Sequence, residues 1–191
     1  MKRLFFCVAM LICACSIFSI ILWDGQAGKQ DHFIRNIPRF YDKNSYVFGV
    51  DISPFAIKVA NINKERFNLS NVSFYKGDLF DALKDHNLER AFHIIVSNPP
   101  YISSDEIENL DVTVKDFEPR LALDGGLDGL DFYRRITSGS KEYLRDGGLL
   151  IYEIGYDQGE KVKKIISLEG FKDVSILKDL QGHDRVVLGF M

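Results

Sequence analysis

Ile94-Ile95-Val96-Ser97-Asn98-Pro99-Pro100-Tyr101-Ile102 is the stretch that decides the fold. Its apolar opening is that of a strand buried on both faces of a parallel sheet. Two prolines then close it. Neither Pro99 nor Pro100 has an N–H for the ladder, so strand pairing ends at Asn98. Asn98 is therefore expected at the carboxyl end of a strand, where open α/β sheets bind their ligands. The fixed φ of both prolines turns the backbone stiffly and sets Tyr101 beside Asn98.

That placement suits recognition of a planar NH2 group. The Asn98 side-chain oxygen and the carbonyl of Ser97 or Pro99 are acceptors for its two hydrogens, and the Tyr101 ring is a cover for its face. The plain alternative is a strand that ends in a Pro-Pro turn with a capping Asn.

A second block follows downstream, Glu118-Pro119-Arg120-Leu121-Ala122-Leu123-Asp124-Gly125-Gly126-Leu127-Asp128-Gly129-Leu130. With Val96 to Ile102 it resembles the bacterial release factor glutamine methyltransferases, and the resemblance runs from about Ser45 to the C-terminus. Asn-Pro-Pro-Tyr alone is shared with adenine-specific DNA methyltransferases; the Glu-Pro-Arg-Leu-Ala-Leu block is more specific.

The resemblance implies an α/β fold, the class I S-adenosylmethionine-dependent methyltransferase sheet with a C-terminal antiparallel hairpin. It implies S-adenosylmethionine as cofactor and a peptide chain release factor as protein partner, methylated on a glutamine side-chain amide in the cytoplasm. Carried over by position, the catalytic signature is Asn98, Pro99, Pro100 and Tyr101. The donor's ribose falls to Asp51, its adenine amine to Asp78 with the Leu79 backbone N–H, and Asn98 adjoins donor and acceptor alike.

At 191 residues the chain has room for one domain with a real core. Its net charge of -3 gives no general pull on nucleic acid. Cys7, Cys13 and Cys15 all lie near the start, so from Ser16 onward there is no disulfide, cysteine metal site or thiol nucleophile. His32, His86, His93 and His183 are scattered without metal-ligand spacing, and no metal is expected. His93 opens the Ile94–Val96 strand and reads as structural.

From Ser45 the pattern is regular. Tyr46–Val50 is β-rich and ends at Asp51. Ser53-Pro54 opens a helix with an N-cap and a proline in its first turn, with Ala56, Ile57, Ala60 and Ile62 on its apolar side. A carboxylate at the tip of a second strand is placed to accept ribose hydroxyls; the alternative for Asp51 is a helix cap. Val72–Tyr75 is the next strand, and Gly77-Asp78 after it also marks a common turn. Ile102 to Leu130 reads as a long acidic loop, either a functional cover or a solvated excursion. Helices are expected over Asp131–Leu144 and Gln158–Leu168, and strands over Gly147–Gly155, Val174–Leu177 and Arg185–Phe190.

The first 44 residues are atypical and divide from a methyltransferase domain over 45–191. Lys2 and Arg3 precede a nearly unbroken apolar run, Leu4–Trp23, about as long as the roughly 20 residues that span a bilayer. Ile12-Cys13-Ala14-Cys15 looks like a lipoprotein cleavage box. A membrane anchor would carry the rest of the chain out of the cytoplasm, away from donor and release factor. A second reading is an unrelated leader from a truncated or frame-shifted gene, and a third is a divergent buried strand or helix. The family's glycine-rich loop has no good match in Trp23-Asp24-Gly25-Gln26-Ala27-Gly28, and its N-terminal helical domain has no counterpart. A sheet incomplete at its first strand is therefore expected, with impaired donor binding.

Two rivals stay open at this level. One is an adenine-specific DNA or RNA amino-methyltransferase, which calls for a basic groove; the acidic 102–130 segment speaks against it. The other is an inactive truncated remnant.

Overall fold

The computed structural model describes residues 19–24, 46–109 and 120–191. Seven strands form one sheet in the order β3-β2-β1-β4-β5-β7-β6. They are β1 (Ser19–Asp24), β2 (Tyr46–Asp51), β3 (Val72–Lys76), β4 (Phe92–Asn98), β5 (Leu144–Glu153), β6 (Lys172–Lys178) and β7 (Asp184–Phe190). β2 runs parallel to β3, and β4 parallel to β5. β7 opposes both β5 and β6, which gives the expected C-terminal hairpin.

The gap expected at the first strand is filled, and filled backwards. β1 lies between β2 and β4 and is antiparallel to both. Ile20 faces Val50 on one side and Ser97 on the other. Backbone pairing on both edges supplies the hydrogen bonds that β2 and β4 otherwise lack. The Leu4–Trp23 run therefore does not continue as one spanning helix through Trp23, since Ser19–Trp23 is sheet. Residues 4–18, with the three cysteines, lie outside the described residues. Among those described, no helix is long and apolar enough to cross a membrane.

Helix α1 (Pro54–Arg66) starts where the Ser53-Pro54 signal places it: the Ser53 hydroxyl accepts from the Ala56 N–H at 3.3 Å. Its apolar side is thinner than the sequence suggests. Only Ala56 is buried, and Ile62 is exposed.

The Ile102–Leu130 excursion is not a plain loop. It contains α2 (Ser104–Glu108) and α3 (Arg120–Leu123). Ser103 and Glu106 cap α2 reciprocally, each side chain bonding the other's backbone N–H. Residues 110–119 lie outside the described residues.

Two longer helices cover one face of the sheet. In α4 (Asp131–Tyr143) the buried residues Tyr133, Ile136, Thr137, Ser140 and Tyr143 recur at helical spacing. In α5 (Gly159–Leu168) Val162 and Ile166 do the same. They join Val50, Ile95, Leu150, Tyr152 and Val187 of the strands in one core. The Tyr133 and Tyr152 rings meet edge to face at 5.2 Å, and the Tyr152 hydroxyl shares a bond with that of Thr137. Burial pushes the Tyr152 phenol far above its ordinary range.

Candidate active site

Three strand ends meet on one edge of the sheet. At the tip of β2, Asp51 is 4% exposed, and its Oδ1 accepts from the Ser53 N–H at 2.8 Å. The carboxylate thus closes the turn into α1, whose N-cap is Ser53. The Asp51 carbonyl also accepts from the Gly77 N–H at 3.0 Å, which ties the end of β3 to that of β2.

After β3 the chain turns abruptly. Leu79 has φ of 52°, a left-handed backbone that is uncommon for a non-glycine residue. Asp78 is engaged by a residue the sequence reading did not single out: Arg135 of α4 donates from Nη2 to Asp78 Oδ2 at 2.7 Å. The Arg135 guanidinium also stands 5.6 Å from the centre of the Phe132 ring.

At the end of β4, pairing stops at Asn98, whose last partner is Ser19. Asn98 is half-buried, and Pro99 and Pro100 are buried. Asp51 and Asn98 are each one residue beyond the Val50–Ile20–Ser97 row. Two strand spacings put them about 9–10 Å apart, at the same height on the sheet.

The loop after Asn98 is held by the glycine segment downstream. The Ile102 N–H donates to the Leu123 carbonyl at 3.1 Å, and the Gly125 N–H donates to that of Ile102 at 2.8 Å. Ser104 donates its hydroxyl to Asp124 Oδ1 at 2.8 Å, and Gly126 donates its N–H to the same oxygen at 3.0 Å. The Ser104 bond, with that of Gly126 and then Arg120, holds the Asp124 carboxyl below the usual carboxylate range.

Two of the glycines are required by contact. A Cβ on Gly125 would stand 2.9 Å from the Pro100 carbonyl oxygen, and one on Gly129 would stand 2.4 Å from that of Tyr101. Gly129 also has φ of 70°. The two motifs that are separate in sequence are therefore one packed unit.

Asp51, Asp78, Leu79 and the Asn98–Tyr101 loop all lie at the carboxyl-end edge of the parallel strands. Because β1 is reversed, Asp24 pairs with Tyr46, at the start of β2. Residues 25–28 lie outside the described residues.

Besides Arg135, the sequence singled out neither Gln158 nor the hydroxyl of Ser97, of which it offered only the carbonyl as an acceptor. Gln158 bonds the Tyr101 carbonyl from 57 positions away. Ser97 is 1% exposed, and its hydroxyl has no hydrogen-bond partner among the described residues. Neither carries a local signal, since Gln158 reads only as a helix start and Ser97 as a small strand residue.

Residues 32–168 match the family model described as a methyltransferase domain. The chain is 50% identical over 149 residues to a release factor glutamine methyltransferase of Clostridium acetobutylicum, covering 78% of this chain and 52% of that one. It is 41% identical over 154 residues to the protein of that name from Thermodesulfovibrio yellowstonii, covering 81% and 52%. The chain thus spans about half the length of the curated relatives it matches. Among solved structures it resembles a methyltransferase from Pyrococcus furiosus, with a TM-score of 0.52 and 20% identity over 75% of this chain and 61% of that one. That likeness bears on the fold, which is the class I methyltransferase sheet with its first strand reversed.

Proposed function

This chain belongs to the methyltransferase-domain family, and we propose that it transfers a methyl group from S-adenosylmethionine to the side-chain amide nitrogen of a glutamine in a peptide chain release factor. The observation that carries this reading is the Asn98–Tyr101 loop, fixed at the end of β4 by the Gly125–Gly129 segment. The names of its relatives support the same acceptor.

The described residues fit the adenosine half of the donor. Asp51 is a buried carboxylate at a strand tip, suited to ribose hydroxyls. Asp78 and the Leu79 N–H offer one acceptor and one donor to the adenine edge. The donor supplies an electrophilic methyl on a sulfonium when bound.

A glutamine amide nitrogen is a weak nucleophile, because its lone pair is delocalised into the carbonyl. The task of this site is orientation more than basicity. In our reading the Asn98 side-chain oxygen and the Pro99 carbonyl accept the two amide hydrogens and favour a pyramidal nitrogen. Tyr101 walls the pocket, Pro99 and Pro100 keep both acceptors still, and the amide proton leaves to water after transfer. The release factor is the partner this chemistry calls for, and the cytoplasm is where it would be met.

The experiment is incubation of the chain with methyl-labelled S-adenosylmethionine and a release factor, followed by peptide mapping. Label on one glutamine, absent with Asn98→Ala, is the expected result. Label on nucleic-acid adenine instead, or on neither, would overturn the reading.

A further inference from the structure

Gln158 uses all of its amide on the backbone of three separate segments. Its Oε1 accepts from the Gly155 N–H at 3.2 Å, in the turn between β5 and α5. Its Nε2 donates to the Tyr101 carbonyl at 2.9 Å and to the Gly129 carbonyl at 3.2 Å. The residue is 6% exposed, so water cannot readily replace these bonds.

The glycines around it make the fit possible. A Cβ on Gly129 would stand 2.9 Å from Gln158 Nε2. One on Gly155 would stand 3.0 Å from Gln158 Oε1 and 3.3 Å from Tyr101 Cδ2. The Tyr101 ring therefore leans on the turn at the tip of β5, while its carbonyl is tied to the helix that follows that turn.

We infer that Gln158 is a positioning residue for the acceptor pocket: it fixes Tyr101 by joining the Pro-Pro-Tyr loop, the glycine segment and the β5–α5 turn through one side chain. The inference rests on the reading that this loop receives the glutamine amide. Only an amide serves all three partners, because two carbonyls need two N–H donors and one N–H needs an acceptor. A carboxylate at 158 keeps the Gly155 bond but turns an acceptor toward two carbonyls. A methionine keeps the volume and makes none of the bonds. Neither change touches Asp51, Asp78 or Leu79.

The test compares Gln158→Glu and Gln158→Met with the parent chain by hydrogen–deuterium exchange and by steady-state kinetics on a glutamine-containing release-factor peptide, with donor affinity titrated separately. Faster exchange confined to residues 101–105 and 125–131 is expected. With it, the KM for the peptide should rise about tenfold or more while donor affinity holds, since small misplacements of an acceptor loop are amplified in rate and binding. Unchanged exchange in those segments would overturn the inference. So would exchange that rises throughout the chain, or a donor affinity that falls in step with the peptide's, because either marks a merely structural role. Local exchange with an unchanged peptide KM overturns it too. If the parent chain methylates no glutamine, the proposed function fails, and the exchange pattern alone then decides whether Gln158 fixes the loop.

Discussion

Asp51 and Asn98 stand level with each other at the carboxyl-end edge of the sheet, with only β1 between them: Ile20 faces Val50 on one side and Ser97 on the other, and each residue is the next along its strand. A donor held by its ribose at one and an acceptor amide held at the other would meet across that strand. The two residues should therefore fail in different ways when changed.

Asn98→Ala is expected to abolish methyl transfer with little effect on the melting temperature. One oriented polar contact in such a site is worth about 3 kcal/mol of transition-state stabilisation, and Asn98 is only half-buried at a strand end. Single-turnover rates beside thermal melts check this; near-parental turnover would remove Asn98 from the catalytic role.

Asp51→Ala should weaken donor binding more than it slows turnover of bound donor. Contacts to a ribose are remote from the methyl, so they are nearly equal in ground and transition states. The mutant also loses the bond to the Ser53 N–H, which should lower stability by about 1 kcal/mol. If the dissociation constant for S-adenosylmethionine is unchanged while stability drops, Asp51 is a cap and nothing more.

Gly129→Ala is expected to destabilise the acceptor loop by more than the roughly 1 kcal/mol usual for a strained left-handed position. The added Cβ would meet the Tyr101 carbonyl oxygen at 2.4 Å, and backbone has to move to relieve it. Denaturant melts measure the loss; a stability within error of the parent would show that the loop yields freely.

The Asp124 carboxyl, held low chiefly by the Ser104 hydroxyl, makes the link between α2 and the glycine segment pH-dependent. A carboxyl whose folded pKa lies below its unfolded value of about 3.9 stabilises the fold above that value. The contribution is lost as pH falls through the folded pKa. Asp124→Ala should therefore melt below the parent at neutral pH, and the difference should close as pH drops below about 4. A gap that persists unchanged at pH 3 would mean that the carboxylate charge is not what holds the link.

Donor affinity itself should be weak. With β1 reversed, the end of β1 beside Asn98 is its first residue, Ser19, while its last, Asp24, pairs with Tyr46 at the opposite edge, so β1 does not run out toward the place where the donor's methionine end would lie. Glycine-lined backbone lets N–H groups approach such a ligand closely. Calorimetric titration is expected to give little heat at micromolar S-adenosylmethionine, and a grafted parallel strand with a glycine-rich loop should restore binding. Micromolar affinity in the unmodified chain would show that another part of the chain cradles that end.

The sequence by itself determined most elements from Ser45 onward, though not the short helices α2 and α3, and the order of the chemistry along them. Pro99 and Pro100 end β4 at Asn98 because neither can donate a ladder bond, and Ser53-Pro54 starts α1 because a hydroxyl and a preset φ suit a first turn. Such effects act over a few residues and can be read from a few. The direction of β1 was not of this kind. A continuous apolar run has the same side-chain pattern read either way, so only pairing with β2 and β4 chose antiparallel. Tertiary structure alone also brought Arg135 to Asp78 and Gln158 to Tyr101, each across 57 positions. A hydrogen bond of that range depends on how two helices pack on a finished sheet, and no local propensity records it.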